Sequence, residues 1–355
     1  MFEEMMGTKP VSGHQSFDAQ ALAAYLRAHI PGFPEADLTV EQFKGGQSNP
    51  TFKIDAGGSH YVLRTKPGPA AKLLPSAHAI EREYRVMDAL HKAGFPVPRQ
   101  HLLCSDESVI GRAFVVMELI EGRVLWDQSL PGMLPAERAA IYDELNCVIA
   151  RLHAIDYAAI GLADYGKPGN YFGRQIERWT RQYQASSTET IEAMDQLIAW
   201  LPNHIPPGEA TSIVHGDFRL DNMIFHPTEP RILAVLDWEL STLGHPLADF
   251  SYHCMSWHIT PGQFRGIAGL DLETLAIPSQ EQYIARYCAR TGATIRAEDF
   301  NFYLAYNLFR LADIMQGIMK RYVDGTASSA QALQNGKAAR PLAELGWKYA
   351  LAAMA

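Results

Sequence analysis

The residues of this chain that can do chemistry concentrate between Ile213 and Glu239, in the run IVHGDFRLDNMIFHPTEPRILAVLDWE. Asn222 follows Asp217 by five positions, and Asp237 comes after two short apolar runs joined by a turn between Pro227 and Pro230. This pattern predicts a hairpin of two short strands with three oxygen-bearing side chains at its ends. Such a set suits phosphoryl transfer to a hydroxyl: one carboxylate takes the proton, while an amide oxygen and a second carboxylate hold a divalent cation. Asp217 is the expected base. Asn222 and Asp237 are the expected Mg²⁺ ligands, because Mg²⁺ favours few protein oxygens alongside phosphates and water. Arg219, inside the loop, is expected to steady the transferred phosphate or to pair with Asp221. His215 should hold the loop by hydrogen bonds. Glu239 would share a side with Asp237 if the strand continued, in a second metal or support role.

Bulk properties narrow the class. With 355 residues, 47% apolar and 20% charged, the chain can build two lobes, each with its own core. A net charge of -8 gives no support to nonspecific nucleic-acid binding. Cys104, Cys147, Cys254 and Cys288 form no CxxC pair, so neither a zinc knuckle nor a disulfide framework is indicated. No run approaches the ~18 apolar residues of a membrane span, and MFEEMMGTKP lacks the build of a signal peptide. A cytoplasmic protein with reduced thiols and no membrane or nucleic-acid partner is expected.

Residues 1–16 read as a loose leader, and Asp18 as the cap of a helix carrying Leu22, Tyr25, Leu26 and Ile30. Five strands are expected at Leu38–Phe43, Thr51–Asp55, His60–Lys66, His101–Cys104 and Ala113–Leu119, with a helix over Ala77–Ala93. Between the first two strands, Gly45-Gly46-Gln47-Ser48-Asn49 can lay backbone N–H groups over phosphates. Arg64 and Lys66 share one strand face, and one of them can reach a nucleotide phosphate; Lys66 better fits a solvated strand end. Glu81 or Glu83 on the helix can pair with Arg64. The backbone of Glu118–Ile120 is the expected contact for a nucleotide base, which places the lobe boundary between 1–120 and 121–355.

Beyond it the spacing turns helical. Arg174, Arg178 and Arg181 fall at i, i+4 and i+7, as either a solvated face or a dock for an anionic substrate. His153 reads as a capping or packing residue, and Asp249 as a helix cap or a brace for the loop below Asp237. His245, His253 and His258 are eight and five apart, which sets no pair on one helical turn as a metal site would need. The stripe of Tyr303, Leu304, Tyr306, Asn307, Leu308, Leu311 and Met315 is core or pocket wall.

HGDFRLDN (215–222) with LDWE (236–239) resembles the aminoglycoside phosphotransferase/choline kinase family. FKGGQSNPTFKI, YVLR, EREYRVMDAL and VVMELIEG extend that resemblance over nearly the whole chain. It implies an α+β, bilobal protein-kinase-like fold, with a small antiparallel-sheet N-lobe and a larger, mainly helical C-lobe. It further implies ATP and Mg²⁺ as cofactors, Asp217 as base, Asn222 and Asp237 as Mg²⁺ ligands, and Glu83 as partner of the phosphate-binding cation. That cation is Arg64 where many members carry Lys, which keeps the charge and changes the geometry. LRTKPGPAAKLLPSAHAIEREYRV with FGRQIERWTRQY most resembles the kinase-like domains associated with acyl-CoA dehydrogenases. The implied reaction is phosphorylation of a hydroxyacyl-CoA hydroxyl ahead of elimination, with a functional link to an acyl-CoA dehydrogenase. The arginine face suits such an anion better than a polycation. Rival expectations are an amino-alcohol or aminoglycoside kinase, a non-catalytic nucleotide-binding module and, more weakly, metal-dependent hydrolysis through the histidines.

Overall fold

The computed structural model describes residues 7–44, 49–67, 80–327 and 331–354. In chain order the elements are β1 (Thr8–Pro10), α1 (Ala19–His29), β2 (Leu38–Phe43), β3 (Thr51–Ala56), β4 (Ser59–Thr65), α2 (Ile80–Lys92), β5 (Gln100–Cys104) and β6 (Phe114–Glu118). There follow α3 (Pro135–Ala154), α4 (Tyr171–Ser186), α5 (Glu192–Trp200), β7 (Ser212–Val214), β8 (Met223–Phe225), β9 (Ile232–Val235), β10 (Thr242–Gly244) and α6 (Pro246–Cys254). The chain ends with α7 (Leu272–Leu275), α8 (Gln280–Thr291), α9 (Ala297–Val323), α10 (Ala332–Gly336) and α11 (Ala339–Ala352). Two compact units result. The first is Met1–Trp126 with Ile160–Leu162 and Asp221–Ser241; the second is Asp127–Ala159, Ala163–Leu220 and Thr242–Ala355. The first unit thus holds the hairpin β8–β9 in addition to residues 1–120.

The first unit is built on an antiparallel sheet in the order β1-β2-β3-β4-β6-β5. Alternation sends Phe52, Ile54 and Ala56 of β3, Leu63 of β4, and Phe114 and Val116 of β6 to one face, where they pack with Leu22 and Leu26 of α1. Asp18 caps α1 through bonds from the N–H groups of Gln20 and Ala21 at 2.8 and 3.0 Å. The leader is less loose than its composition suggests. Thr8–Pro10 pairs with β2, and the Thr8 hydroxyl donates to Glu41 at 3.0 Å, so this segment forms the sixth strand and covers the edge of β2. The hairpin joins the unit where Val235 N–H donates to the Pro96 carbonyl at 2.8 Å and Trp238 meets Phe95 edge-on at 6.0 Å. Arg123 and Phe225 exchange two backbone bonds of 2.8 Å, and the Arg123 guanidinium reaches the carbonyls of His226 and Glu229 at 2.9 Å.

In the second unit the 27-residue α9 is buried along most of its length, from Phe300 to Gln316. Aromatic stacking organises its neighbours: Phe250 of α6 lies 3.9 Å from the Tyr287 ring of α8, at an interplanar angle of 17°. His153, at the end of α3, packs as expected, its Nδ1 lying 2.7 Å from the Tyr287 hydroxyl. β7 pairs antiparallel with β10, Val214 facing Thr242, so the chain enters α6 directly beneath the loop that leaves β7. Among the described residues no helix is long and apolar enough to cross a membrane.

Gly122 explains the close approach of the Arg123 strap. A Cβ there would sit 2.3 Å from the Phe225 carbonyl oxygen. Gly122→Ala should therefore lower stability to urea by ~2 kcal/mol, the usual cost of overpacking against backbone; an unchanged unfolding midpoint would count against the strap.

Candidate active site

In the second unit, β7 delivers the loop His215-Gly216-Asp217, and one buried carboxylate fixes its backbone. Asp249 is 2% exposed. It accepts the N–H groups of His215 at 2.7 Å and Gly216 at 2.8 Å, and lies 3.3 Å from His153 Nε2. Burial pushes its pKa up, but the bond and charge of His153, with further help from His215, outweigh burial and hold it below the usual carboxylate value. Asp249 thus braces the loop below Asp217, not the loop below Asp237. The cap of α6 is His245, whose Nδ1 accepts from Leu247 N–H at 3.2 Å. His215 holds the next link, its Nδ1 accepting the Asp217 N–H at 3.1 Å.

The Asp217 carboxylate has a donor on each oxygen. The Tyr252 hydroxyl donates to Oδ1 at 2.6 Å, and Arg219 Nη2 lies 3.0 Å from Oδ2. Arg219 therefore pairs with Asp217 within the loop. Burial first, and then the charge of Asp217, raise the Tyr252 pKa well above the usual phenol, so the hydroxyl remains a donor. Arg310 of α9 donates to the Gly216 carbonyl at 2.6 Å, its guanidinium lying 4.9 Å from the Tyr252 ring centroid and 5.4 Å from that of Trp179.

In the first unit the hairpin presents the expected metal ligands. Met223 faces Val235, and Leu236 N–H donates to the Asn222 carbonyl at 2.8 Å, which sets Asn222 beside the residue preceding Asp237. The strand ends at Val235. Asp237 takes left-handed dihedrals (φ 66°, ψ 63°), and Glu239 sits in a short 3-10 turn rather than on a continued strand. Arg64 gathers the acids around it, with Nε 2.9 Å from Glu83 Oε2 and Nη2 3.3 Å from Asp237 Oδ1 and 3.8 Å from Glu239 Oε2. Burial would lower the Arg64 pKa, yet Glu83, Asp237 and Glu239 together raise it. Burial also raises that of Glu83, against the opposing charge of Arg64. Of the two candidate helix acids, Glu83 takes Arg64 and Glu81 takes Lys66. Asn49 Nδ2 donates to Glu83 Oε1 at 2.9 Å, whereas Gly45, Gly46, Gln47 and Ser48 lie outside the described residues. An amide oxygen and a carboxylate on one hairpin end form an oxygen-only donor set, which fits Mg²⁺ and not a soft metal.

Glu118 and Ile120 line a groove of about 830 Å³ whose other walls include His91 and the turn Gly94–Val97. Arg64, Glu83 and Asp237 are not among its walls. On α4 the three arginines part company. Arg174 is taken up by the carbonyls of Gly169 and Lys167, Arg178 is exposed, and Arg181 is exposed beside Glu177 at 3.6 Å. The histidines go to separate partners: His245 to the α6 cap, His253 to the Tyr283 hydroxyl at 2.9 Å, and His258 to the Tyr349 hydroxyl at 2.5 Å.

Sequence reading passes over Tyr252, Arg310 and Asp313. The signal for the latter two is a polar seam in an apolar helix: Asn307, Arg310, Asp313 and Gln316 recur every third residue of α9, and all are buried. Asp313 is 0% exposed, and neither carboxylate oxygen has a hydrogen-bond partner among the described residues. Burial raises its pKa from 3.8 to about 7, against the opposing charge of Arg178.

An antiparallel-sheet unit with a buried cation–glutamate pair, and a helical unit with a braced aspartate loop, define a phosphotransferase of the protein-kinase-like type. The chain belongs to the phosphotransferase enzyme family (APH), whose model matches residues 39–300. It is 46% identical over 346 residues to mouse acyl-CoA dehydrogenase family member 10, a match covering 97% of this chain and 32% of that protein. The chain thus spans about a third of that relative's length. A crystal structure from Ralstonia eutropha JMP134, provisionally named an aminoglycoside phosphotransferase, is 65% identical with a TM-score of 0.87, covering 95% of this chain and 99% of the other. A thermostable mutant of aminoglycoside phosphotransferase APH(4)-Ia, in ternary complex with ADP and hygromycin B, shares the fold. It has 16% identity and a TM-score of 0.60 over 93% of this chain and 98% of the other.

Arg64→Ala strips the cation from Glu83, whose side chain is 2% exposed. It should cost ~3 kcal/mol in urea unfolding, the scale of breaking a buried pair, and Arg64→Lys clearly less; equal losses would mean that charge is not what matters there. A second expectation concerns pH. Because the folded Asp313 pKa of about 7 lies above 3.8, its ionisation costs nothing below pH ~4. The cost grows as pH rises to ~7 and is full above that, reaching ~4 kcal/mol. Asp313→Asn should therefore raise Tm more at pH 8 than at pH 5, and an equal gain at both would refute the assignment.

Proposed function

We propose that this chain is an ATP- and Mg²⁺-dependent kinase for a hydroxyacyl-CoA-type acceptor. The observation that carries this reading is the setting of Asp217: an acceptor-only carboxylate held at 2.6 Å by Tyr252 and at 3.0 Å by Arg219. A hydroxyl is a weak nucleophile until its proton has a destination, and a carboxylate with both oxygens oriented is a ready one. In the transfer, the acceptor oxygen bonds to the γ-phosphorus as its proton passes to Asp217. The bond from that phosphorus to the bridging oxygen breaks, and ADP leaves with the electron pair. Asn222 and Asp237 are the residues to hold Mg²⁺, which would neutralise phosphate charge when bound. Arg64, fixed by Glu83, suits a nucleotide phosphate, with Asn49 holding Glu83 beside it and the Glu118–Ile120 backbone suited to the base.

Several features favour an anionic acceptor. Arg219, Arg265 and Arg310 all act electrostatically on Asp217 or its loop, which disfavours a polycation. On α4, Arg178 and Arg181 are the arginines available to an anionic acceptor, since Arg174 is engaged by carbonyls. The acyl-CoA dehydrogenase name of the mouse relative supports the same substrate class and a functional link to such a dehydrogenase.

The test is ATP consumption with hydroxyacyl-CoAs, amino alcohols and an aminoglycoside as acceptors. Hydroxyacyl-CoA should be preferred. Asp217→Asn should lower kcat by roughly 10²–10⁴-fold with ADP affinity retained, and Asn222→Ala should raise the Mg²⁺ concentration needed for half-maximal rate. Undiminished turnover by Asp217→Asn would remove the base assignment.

A further inference from the structure

Asp249 and Tyr252 stand three positions apart on α6 and so share one face of that helix. Asp249 holds the backbone of the His215–Asp217 loop, and the Tyr252 hydroxyl donates to the side chain the loop carries, at 2.6 Å from Asp217 Oδ1. One helix face thus sets both the path of the loop and the rotation of its carboxylate.

A second helix face keeps the first in place. Asn307 and Arg310, also three apart, lie on α9. The Asn307 amide donates to the Ala248 carbonyl at 2.9 Å and to the Ser251 hydroxyl at 2.8 Å, which fastens α9 to α6. Arg310 donates to the Gly216 carbonyl at 2.6 Å, and its guanidinium lies over the Tyr252 ring, 4.9 Å from the centroid. Tyr252, Asn307 and Arg310 are all buried, so the phenol cannot swing aside without disturbing a buried cation. The two holders of the Asp217 carboxylate are therefore unequal. Oδ1 takes a short, charge-assisted bond from a clamped phenol. Oδ2 faces Arg219 at 3.0 Å, a long side chain that keeps 21% exposure.

Resting on the reading of Asp217 as the base, we propose that Tyr252 is the positioning residue of the proton transfer: by keeping Oδ1 it directs the acceptor's proton to Oδ2. The acceptor O–H bond breaks as its oxygen bonds to phosphorus, the proton ends on Oδ2, and ADP leaves with the electron pair of the bridging bond. Tyr252 keeps its own proton and its bond to Oδ1 throughout. Burial first, and then the charge of Asp217, hold that proton on the phenol, so Tyr252 does not compete as a base. Arg219 shifts to make room at Oδ2 when the acceptor arrives. Arg310 acts one step further back, through Tyr252 and Gly216. A carboxylate without a fixed donor turns in a broad two-fold torsion and presents its oxygens at varying angles. Loss of the Tyr252 hydroxyl therefore reduces the share of bound acceptor in reacting alignment and leaves affinity alone.

The full chain is assayed for steady-state ATP consumption with β-hydroxybutyryl-CoA and with choline as acceptors, alongside calorimetry of ADP binding and thermal unfolding. Tyr252→Phe keeps the ring under Arg310 and removes only the hydroxyl. It should lower kcat about tenfold or more, with the fold intact and both KM and ADP affinity unchanged. Arg310→Lys, which keeps a cation able to donate to Gly216, should lose less kcat than Arg310→Met. In an Asp217→Asn background the added Tyr252→Phe should cost no further kcat, because residues that act as a unit are not additive. If Asp217→Asn lowers turnover but Tyr252→Phe keeps full kcat, or costs the same in both backgrounds, the positioning assignment falls and the base reading stands. If Asp217→Asn keeps full turnover, or the wild type uses neither acceptor, the base reading falls and this assignment with it. A crystal structure with AMP-PNP, Mg²⁺ and the acceptor that is turned over checks the oxygen. The acceptor oxygen should lie against Oδ2 with Tyr252 still on Oδ1; an acceptor oxygen on Oδ1 overturns the assignment.

Discussion

The acceptance of two backbone N–H groups by the buried Asp249 carboxylate is the constraint on which the His215–Asp217 loop depends. A carboxylate at 2% exposure must be fully satisfied, and the bonds at 2.7 and 2.8 Å from His215 and Gly216 meet that demand with backbone instead of solvent. The result is a loop whose path is set from below by a helix. His215 and Arg310 then each fix one further peptide group, and Tyr252 and Arg219 orient the carboxylate itself. Positioning accounts for much of what a phosphoryl-transfer protein must supply, and many fixed groups around one aspartate are in keeping with the base role proposed for Asp217.

The first unit solves a different electrostatic problem by another route. There one arginine is shared among Glu83, Asp237 and Glu239. Three acids around one cation leave a net negative site, which is suited to a divalent metal and would be self-repelling without one. Asn49 adds a neutral donor to Glu83, so the buried glutamate does not rely on Arg64 alone.

How much of this was legible in the sequence follows from what kind of signal each part leaves. Strands with alternating burial, helices with caps such as Asp18, and the hairpin of β8 and β9 were readable because their periodicity and turn residues are local. From the residues alone the partner of Arg64 was one of two choices, Glu81 or Glu83, because the helix side that faces β4 cannot be read without the packing; the family resemblance pointed to Glu83, which the structure pairs with Arg64. The edge strand Thr8–Pro10 was missed, since three polar-flanked residues carry no period and gain their structure from β2. Asp249 was seen as a brace but set under the wrong loop, because the β7–β10 ladder that puts it beneath Asp217 joins segments far apart in sequence.

The left-handed backbone of Asp237 narrows which residues can occupy that position. Most side chains are strained there, and aspartate and asparagine are among the few that tolerate it. Of the two acidic residues, only aspartate joins that tolerance to a negative charge; glutamate would bring the charge with a backbone penalty, and glycine the backbone without the charge. Substitution at this point is therefore filtered twice, once by conformation and once by electrostatics. A change that satisfies one filter fails the other, so drift away from aspartate would pass through a less stable or an uncharged intermediate.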